Sequence, residues 1–394
     1  MTIDWAEWLN LAIRWFHLTA GIAWIGSSFY FVWLDNHLVP PKSGEASGEV
    51  WSVHGGGFYH KQKYQVAPRE MPEDLHWFLW EAYTTWITGF SLLVLIYWVG
   101  AASFLIDPAK AALTPLEASG IGAAALAAGW LIYDGLCRSP LGRDDRALGA
   151  VWFTVLVAAA WGLDQVFSAR GAYLHVGAII GTAMVGNVFF VIIPNQRKVV
   201  AALQAGEVPD PALGKAAKAR SLHNNYMTLP VLFVMISHHY AMTFGAERPW
   251  LVLALLGATG VAVRHVFNLR HRGRPLGRAI AVAGGLALVS VTYVSAEKAG
   301  AVRMADGPAA DWASVQPIFA KHCTACHAAK PTSDLVSAPP LGVMLDSHEH
   351  ARQFAARVKK VAVDAEIMPL GNTTGMTRAE RDTLGRWIAA GAPQ

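Results

Sequence analysis

Over its first three quarters the chain alternates long apolar runs with short polar breaks, and then changes character. Runs long enough to cross a hydrocarbon core of roughly 30 Å fall at residues 9–34, 76–100, 117–137, 147–168, 171–195, 225–244, 249–268 and 277–296. A backbone facing lipid must satisfy its own hydrogen bonds, so each run is predicted to be a helix. The third, rich in Ala and Gly, carries the weakest apolar signal. Residues 299–309 are small and loosely charged and read as a linker, and residues 310–394 have the patterning of a domain in water. The expected class is all-α: a polytopic membrane bundle of about eight transmembrane helices over residues 1–298, followed by a small C-terminal domain.

Composition agrees. Of 394 residues, 54% are hydrophobic and 15% charged, whereas a soluble protein carries about 25% charged residues. The net charge of +4 is too small to imply nucleic acid, and the basic residues sort by loop. Sixteen Lys and Arg, among them Lys42, Arg69, Arg138, Arg220 and Arg270, fall in the loops after the first, third, fifth and seventh runs. The loops after the second, fourth and sixth hold three: Lys110, Arg170 and Arg248. Basic loops stay in the cytoplasm, which places both termini outside. The N-terminus carries Asp4 and Glu7 but neither Lys nor Arg, so the first run reads as an uncleaved helix. Two echoes, Trp15-Phe16-His17 against Tyr173-Leu174-His175 and Leu75-His76-Trp77 against Leu222-His223-Asn224, suggest a parallel four-plus-four repeat.

The strongest chemical signal is Cys323-Thr324-Ala325-Cys326-His327, the attachment sequence of a c-type haem. Both thiols add to haem vinyl groups, and His327 on the same turn reaches the iron as proximal ligand. A zinc or redox CxxC reading fails, because the third cysteine, Cys137, stands alone and the histidine is immediate. Met368, in Ile367-Met368-Pro369-Leu370, is the best second axial ligand; for Met344 and Met376 core packing is the better reading. A Met/His iron has a raised potential and accepts electrons readily. Thr377 to Glu380 has the pattern of a capping box, opening a helix whose inner face is Leu384, Trp387 and Ile388. The tail is therefore expected to be a class I cytochrome c domain.

Ionisable groups inside lipid are costly and point to function. His17, His175, His238 and His239 fall toward one side of the membrane; His76, His223 and His265 fall toward the other, with Asn224, Asn225, Arg264 and Asn268 nearby. Glu81, Asp134, Asp164 and Arg14 are further charges at depth. Three readings stand: interhelical hydrogen bonding, ligation of a b-type haem with His17 and His175 as the preferred pair, and a substrate pocket for a planar anion in the cytoplasmic layer. His54-Gly55-Gly56-Gly57-Phe58-Tyr59-His60 is either a flexible linker or a place where backbone meets a ligand closely.

The run Trp15-Phe16-His17-Leu18-Thr19-Ala20-Gly21 through Tyr30 resembles the opening of the bacterial membrane-bound urate oxidases, or urate hydroxylases. The Gly-rich loop, His223-Asn224-Asn225-Tyr226-Met227-Thr228-Leu229-Pro230, Ser237-His238-His239-Tyr240 and the haem tail share that resemblance, which covers essentially the whole chain. The first run alone also resembles the haem-binding protoporphyrinogen oxidases of bacteria, which lack this length and this tail. The resemblance implies an enzyme of the bacterial inner membrane, a urate:cytochrome c oxidoreductase of purine catabolism. Urate would become 5-hydroxyisourate, and electrons would leave through haem c in the periplasm to a respiratory-chain acceptor.

Such chemistry needs an anion-binding group, a base and an electron acceptor. On the cytoplasmic side the candidates are His76, Glu81, His223, Asn224, Asn225, Arg264 and His265. Arg264 would hold the anion, a histidine or Glu81 would take the proton, and the Asn pair would bond the ring edge. A cytoplasmic pocket and an outer haem c lie about a membrane thickness, roughly 30 Å, apart. Either haem b bridges that gap, or the pocket lies near His17, His175 and His238. Two other functions stay open: a relay from quinol to periplasmic acceptors without a urate site, and a transporter with a fused redox sensor.

Overall fold

A computed structural model describes residues 5–42, 44–64, 68, 71–302 and 308–394, with only the backbone of Ala6 and of residues 297–302. Arg69 of the first loop and residues 303–307 of the expected linker lie outside the described residues. Among those described, eight long helices precede the tail. They are α1 (Trp5–His37), α2 (Trp80–Leu92, continuing as a wider π-helical stretch Leu93–Val99), α3 (Pro115–Arg138) and α4 (Asp145–Val166). There follow α5 (Ala169–Gly186, then π-helical Asn187–Ile192, then Ile193–Gln204), α6 (Pro211–Ser237), α7 (Pro249–His271) and α8 (Gly277–Val302). Six of them, α2 to α5, α7 and α8, are long and apolar enough to cross a membrane. At 33 and 27 residues α1 and α6 have the length without being among these six; α6 has the more polar composition, and α1 is rich in Trp.

Local chemistry sets the helix starts. Thr114 forms a capping box with Glu117 ahead of Pro115, Asp144 accepts from the first amides of α4, and Asp210 caps α6 ahead of Pro211. The last of these moves a predicted boundary. The sixth run was expected at 225–244, but the helix opens at Pro211, carries Lys215 and Lys218 in helical turns, and stops at Ser237. His238 and His239 therefore follow its end. Likewise α2 opens at Trp80, and His76 sits exposed on the approach, its ring 4.6 Å from that of Phe78. The wide turn in α5 falls just ahead of Pro194, whose ring would crowd the carbonyl of an ordinary α-turn.

The Gly-rich loop departs from the all-α expectation. Strands β1 (Gly48–His54) and β2 (Gly57–Lys63) pair antiparallel. Gly55 and Gly56, at φ of +57° and +80°, make the two-residue turn that suits the strand twist. His60 bonds the Glu49 carboxylate at 2.9 Å and stacks on Trp51. Among the described residues no group of three His, Cys, Asp or Glu gathers, so the hairpin offers no metal ligand set.

α5 is the hub, with Ala172, Val176, Ile179 and Ala183 buried among α2, α3, α4 and α6. Close approach depends on Gly177, where a Cβ would stand 2.4 Å from Val234. The ends of α2, α4 and α6 and the start of α5 meet on one side, where Ser168 donates to the Phe104 carbonyl at 2.9 Å. The tail packs on that same side: Ala365 and Ile367 join the bundle core, and Gly371 lies against the carbonyls of Ala102 and Ser103. The molecule thus has a tail side and, opposite, a side bearing the basic loops, as the charge sorting predicts.

The tail has its own core. Helices α9 (Trp312–His322), α10 (His348–Gln353), α11 (Ala355–Val358, continuing as π-helical Lys359–Asp364) and α12 (Arg378–Ala389) enclose Val315, Phe319, Leu384 and Trp387. The Trp387 indole donates to the Pro393 carbonyl at 2.8 Å. Thr377 and Glu380 form the expected capping box.

Candidate functional site

On the tail side a cavity of about 540 Å³ runs between α1, α2, α5 and α6. Its walls are mainly Leu, Ile, Val, Met and Trp, relieved by His17, His238 and His239 and, at its outer end, Arg14 and Arg170. The imidazole of His17 is held in one orientation. Its Nδ1 lies 3.0 Å from the Thr85 carbonyl, which only accepts, so Nδ1 carries the proton and Nε2 keeps its lone pair. Gly89 makes room for that ring: a Cβ there would stand 2.8 Å from His17 Cε1.

His175 does not line this cavity. It is fully buried, its Nδ1 donates to the Gly171 carbonyl at 2.8 Å, and its Nε2 accepts from the Trp98 indole at 3.2 Å. Gly122 closes over it, with space for no Cβ. Both nitrogens are committed, so the preferred pair His17 and His175 does not face one ligand space, whereas His17 and His238 do.

On the basic side six of the seven predicted residues separate into three groups, and His265 stands apart. His223 sits between the Tyr133 hydroxyl at 2.8 Å and the Asp145 carboxylate at 3.4 Å. Behind Tyr133, Asn187 donates to the Tyr133 hydroxyl and to Asn224 Oδ1, while Arg220 bridges Asn187 and Asp134 at 2.9 and 2.6 Å. Asn224 also donates to the Met184 carbonyl, which commits its amide. The asparagine pair is therefore split, because neighbours on a helix face different ways.

Asn225 turns to α7. Its Oδ1 accepts from Arg264 Nε at 3.1 Å and from Asn268 Nδ2 at 2.9 Å, and the Arg264 guanidinium stacks 4.0 Å from the Phe29 ring of α1. All three polar residues are at most 5% exposed. Three atoms here are buried with no partner: Asn225 Nδ2, Arg264 Nη2 and Asn268 Oδ1. Two donors and one acceptor are left for something else, and orphaned buried groups of this kind call for a ligand or water. His265 takes no part: it is exposed, with Tyr226 2.8 Å from its Nδ1. Glu81, half-buried in the first turn of α2, and His76 make the third group.

In the tail, Cys323, Cys326 and His327 share one turn, with the Cys326 and His327 amides both donating to the Cys323 carbonyl. His327 Nδ1 donates to the Val343 carbonyl at 3.0 Å, which frees Nε2 to bind a metal. Cys323 is packed in the tail core, and burial pushes its thiol up to about 12. Met368 packs against that same core, and its carbonyl accepts from Arg381 at 2.7 Å; a second, shorter bond ties Arg381 to the Ala362 carbonyl. Met376 is buried as a packing residue. Two thiols placed for covalent attachment and an imidazole with a free Nε2, on one turn beside an apolar core against which Met368 packs, are residues that would suit a c-type haem.

A family model described as urate oxidase N-terminal matches residues 4–296. The chain belongs to that family. No curated protein and no solved structure gives a match. The urate oxidase N-terminal match takes in the hairpin, the cavity and every basic-side candidate, and ends where the tail begins. Membership ties the bundle to urate oxidation, and its apolar helices fit a multi-pass membrane protein. Two partners in these sites have no sequence signal of their own: Trp98, which occupies His175, and Asn187, which joins Asn224 to Arg220.

Proposed function

We propose that this chain oxidises urate to 5-hydroxyisourate in purine catabolism and passes the electrons through a haem c in its tail to an external respiratory acceptor. The urate monoanion and one water give 5-hydroxyisourate, one proton and two electrons. A haem c would be held by Cys323, Cys326, His327 and Met368, and would supply one-electron acceptance at a raised potential. Within the bundle, Arg264 Nη2 and Asn225 Nδ2 offer donors to the anion's edge and Asn268 Oδ1 offers an acceptor to a ring N–H. Glu81 is left to take the proton, because His223 has both ring nitrogens engaged, by Tyr133 and by Asp145. Asn224 holds the helices together instead of touching substrate, and His76 and His265 stay at the basic-side surface.

The reading is carried by one observation beyond the family match: the segment that bears Met368 is seated directly on the bundle, its neighbours Ala365 and Ile367 packed into the bundle core. A tail tethered for some unrelated purpose has no need to seat its Met368 segment on the bundle. With the tail in the periplasm, the protein lies in the bacterial inner membrane with both termini outside.

The test is anaerobic. Urate added to membranes holding the oxidised protein is expected to bring up the reduced haem c band, with two haems reduced per urate consumed. Reduction by quinol and none by urate would make the chain a relay instead.

A further inference from the structure

The cavity on the tail side has features that a urate site does not need and that a second haem does. Its level in the membrane follows from one contact. The Met235 methyl would meet a Cβ on Gly21 at 3.8 Å, so α1 and α6 touch there. Going toward the tail side, α1 runs backward from Gly21 to His17 and α6 runs forward from Met235 to His238. Four residues on α1 and three to the C-cap of α6 climb about 4.5–6 Å, which brings His17 and His238 to about one level. Both line the same space. The His17 Nε2 is left free, and the His238 ring packs against that of His239, centroids 3.9 Å apart.

The walls narrow the ligand class. They are mainly apolar, with His17, His238 and His239 set among them, Thr85, Thr182 and Tyr97 alongside, and Arg14 and Arg170 at the outer end. A urate ring needs hydrogen-bond partners all round its edge, and these walls offer few of them for their area. A flat apolar macrocycle with two carboxylates at one margin needs two opposed imidazoles, greasy walls and two cations at the mouth. The volume lies within the ~300–1,000 Å³ usual for cofactor pockets.

We infer that this cavity binds a b-type haem between His17 and His238, its propionates toward Arg14 and Arg170. His175 is no ligand, because Trp98 and Gly171 occupy both its nitrogens. The position would also shorten the electron path. At its other end the cavity reaches Ile25, one helical turn from Phe29 and hence from the Arg264 cluster. Arg170 also lines the cleft beneath Met368. That relay role rests on the urate reading; occupancy by haem does not.

The experiment is a pyridine haemochrome spectrum of the purified full-length protein, which counts b and c haem without any turnover. Equal amounts of the two are expected. His17→Ala and His238→Ala should each lower the b-to-c ratio by roughly tenfold or more while c content holds, and His239→Ala and Trp98→Phe should leave it unchanged. Haem c alone in the unaltered protein would overturn the inference, and so would b content that survives both His17→Ala and His238→Ala. Because c content reports folding and export of each variant, a variant that merely fails to fold is recognised. If the protein holds b haem but urate reduces neither haem, the site stands and the urate reading falls.

Discussion

Arg264 illustrates how a single buried charge divides its work. Nε is spent on Asn225 and the guanidinium face on Phe29, and Nη2 has no partner. If that free N–H meets the urate anion, Arg264→Ala removes a charge-assisted bond of about 1.5–3 kcal/mol. Urate-driven reduction of haem c should then fall roughly 10–100-fold at subsaturating urate, while chemical reduction by dithionite is unchanged. Arg264→Lys should not restore it, because an ammonium lacks the fork that spans two partners. In the tail, Glu380 accepts from the Thr377 amide and hydroxyl and from His322, and these bonds hold its carboxyl at about 2, against an ordinary 4.5. A depressed carboxyl stabilises the fold above its unfolded pKa, and that contribution is lost as pH falls through the folded one. Acid titration of the haem absorption should show a loss of stability between about pH 4.5 and 2, and Glu380→Gln should flatten it. What was legible at this scale follows a simple rule. Cys323, Cys326, His327 and Met368 are motif residues, and Arg264 with Asn225 declares itself by being polar in an apolar run. The inertness of His175 was hidden, because its partner Trp98 lies 77 residues away.

At the scale of elements, the prediction that matters concerns the seat of the tail. Gly371 adopts φ of +61°, which disfavours any side chain, and a Cβ there would stand 2.9 Å from the Ala102 carbonyl. Gly371→Val should lift the Met368 segment from the bundle at a cost of about 1–3 kcal/mol. Urate-driven haem reduction should slow, and the haem c spectrum and midpoint potential should stay as they were, since the ligands are untouched. A shifted potential would mean that the substitution had reached the iron instead. Seven of the eight predicted runs coincide closely with helices because apolar length is what both lipid and helix require. The sixth was displaced because hydropathy ignores the Asp210-Pro211 start signal and the polar turns behind it, which carry Lys215, Lys218 and Arg220. The hairpin was missed for a related reason: a glycine triplet between polar strands reads as slack chain until both strands are seen to pair.

Across the whole molecule two independent asymmetries coincide. One is electrostatic: the basic loops gather opposite the tail. The other is chemical: a covalent c-type haem is assembled only where the apoprotein meets the export side. If both hold, the substrate cluster on α6 and α7 and the tail iron face different compartments. The proton from urate is then released on the basic side, and the electrons emerge on the other. Sealed vesicles of known orientation test this directly. Right-side-out vesicles treated with an impermeant protease should lose the tail as a coloured soluble fragment cut between residues 299 and 309, whereas inverted vesicles should keep it. With the tail intact, urate supplied outside inverted vesicles should reduce the enclosed haem c faster than urate supplied outside right-side-out ones, because the anion then meets the basic side without crossing lipid. Faster reduction in right-side-out vesicles would place the urate site on the tail side and detach Arg264 from the chemistry, even if the tail proves to be periplasmic.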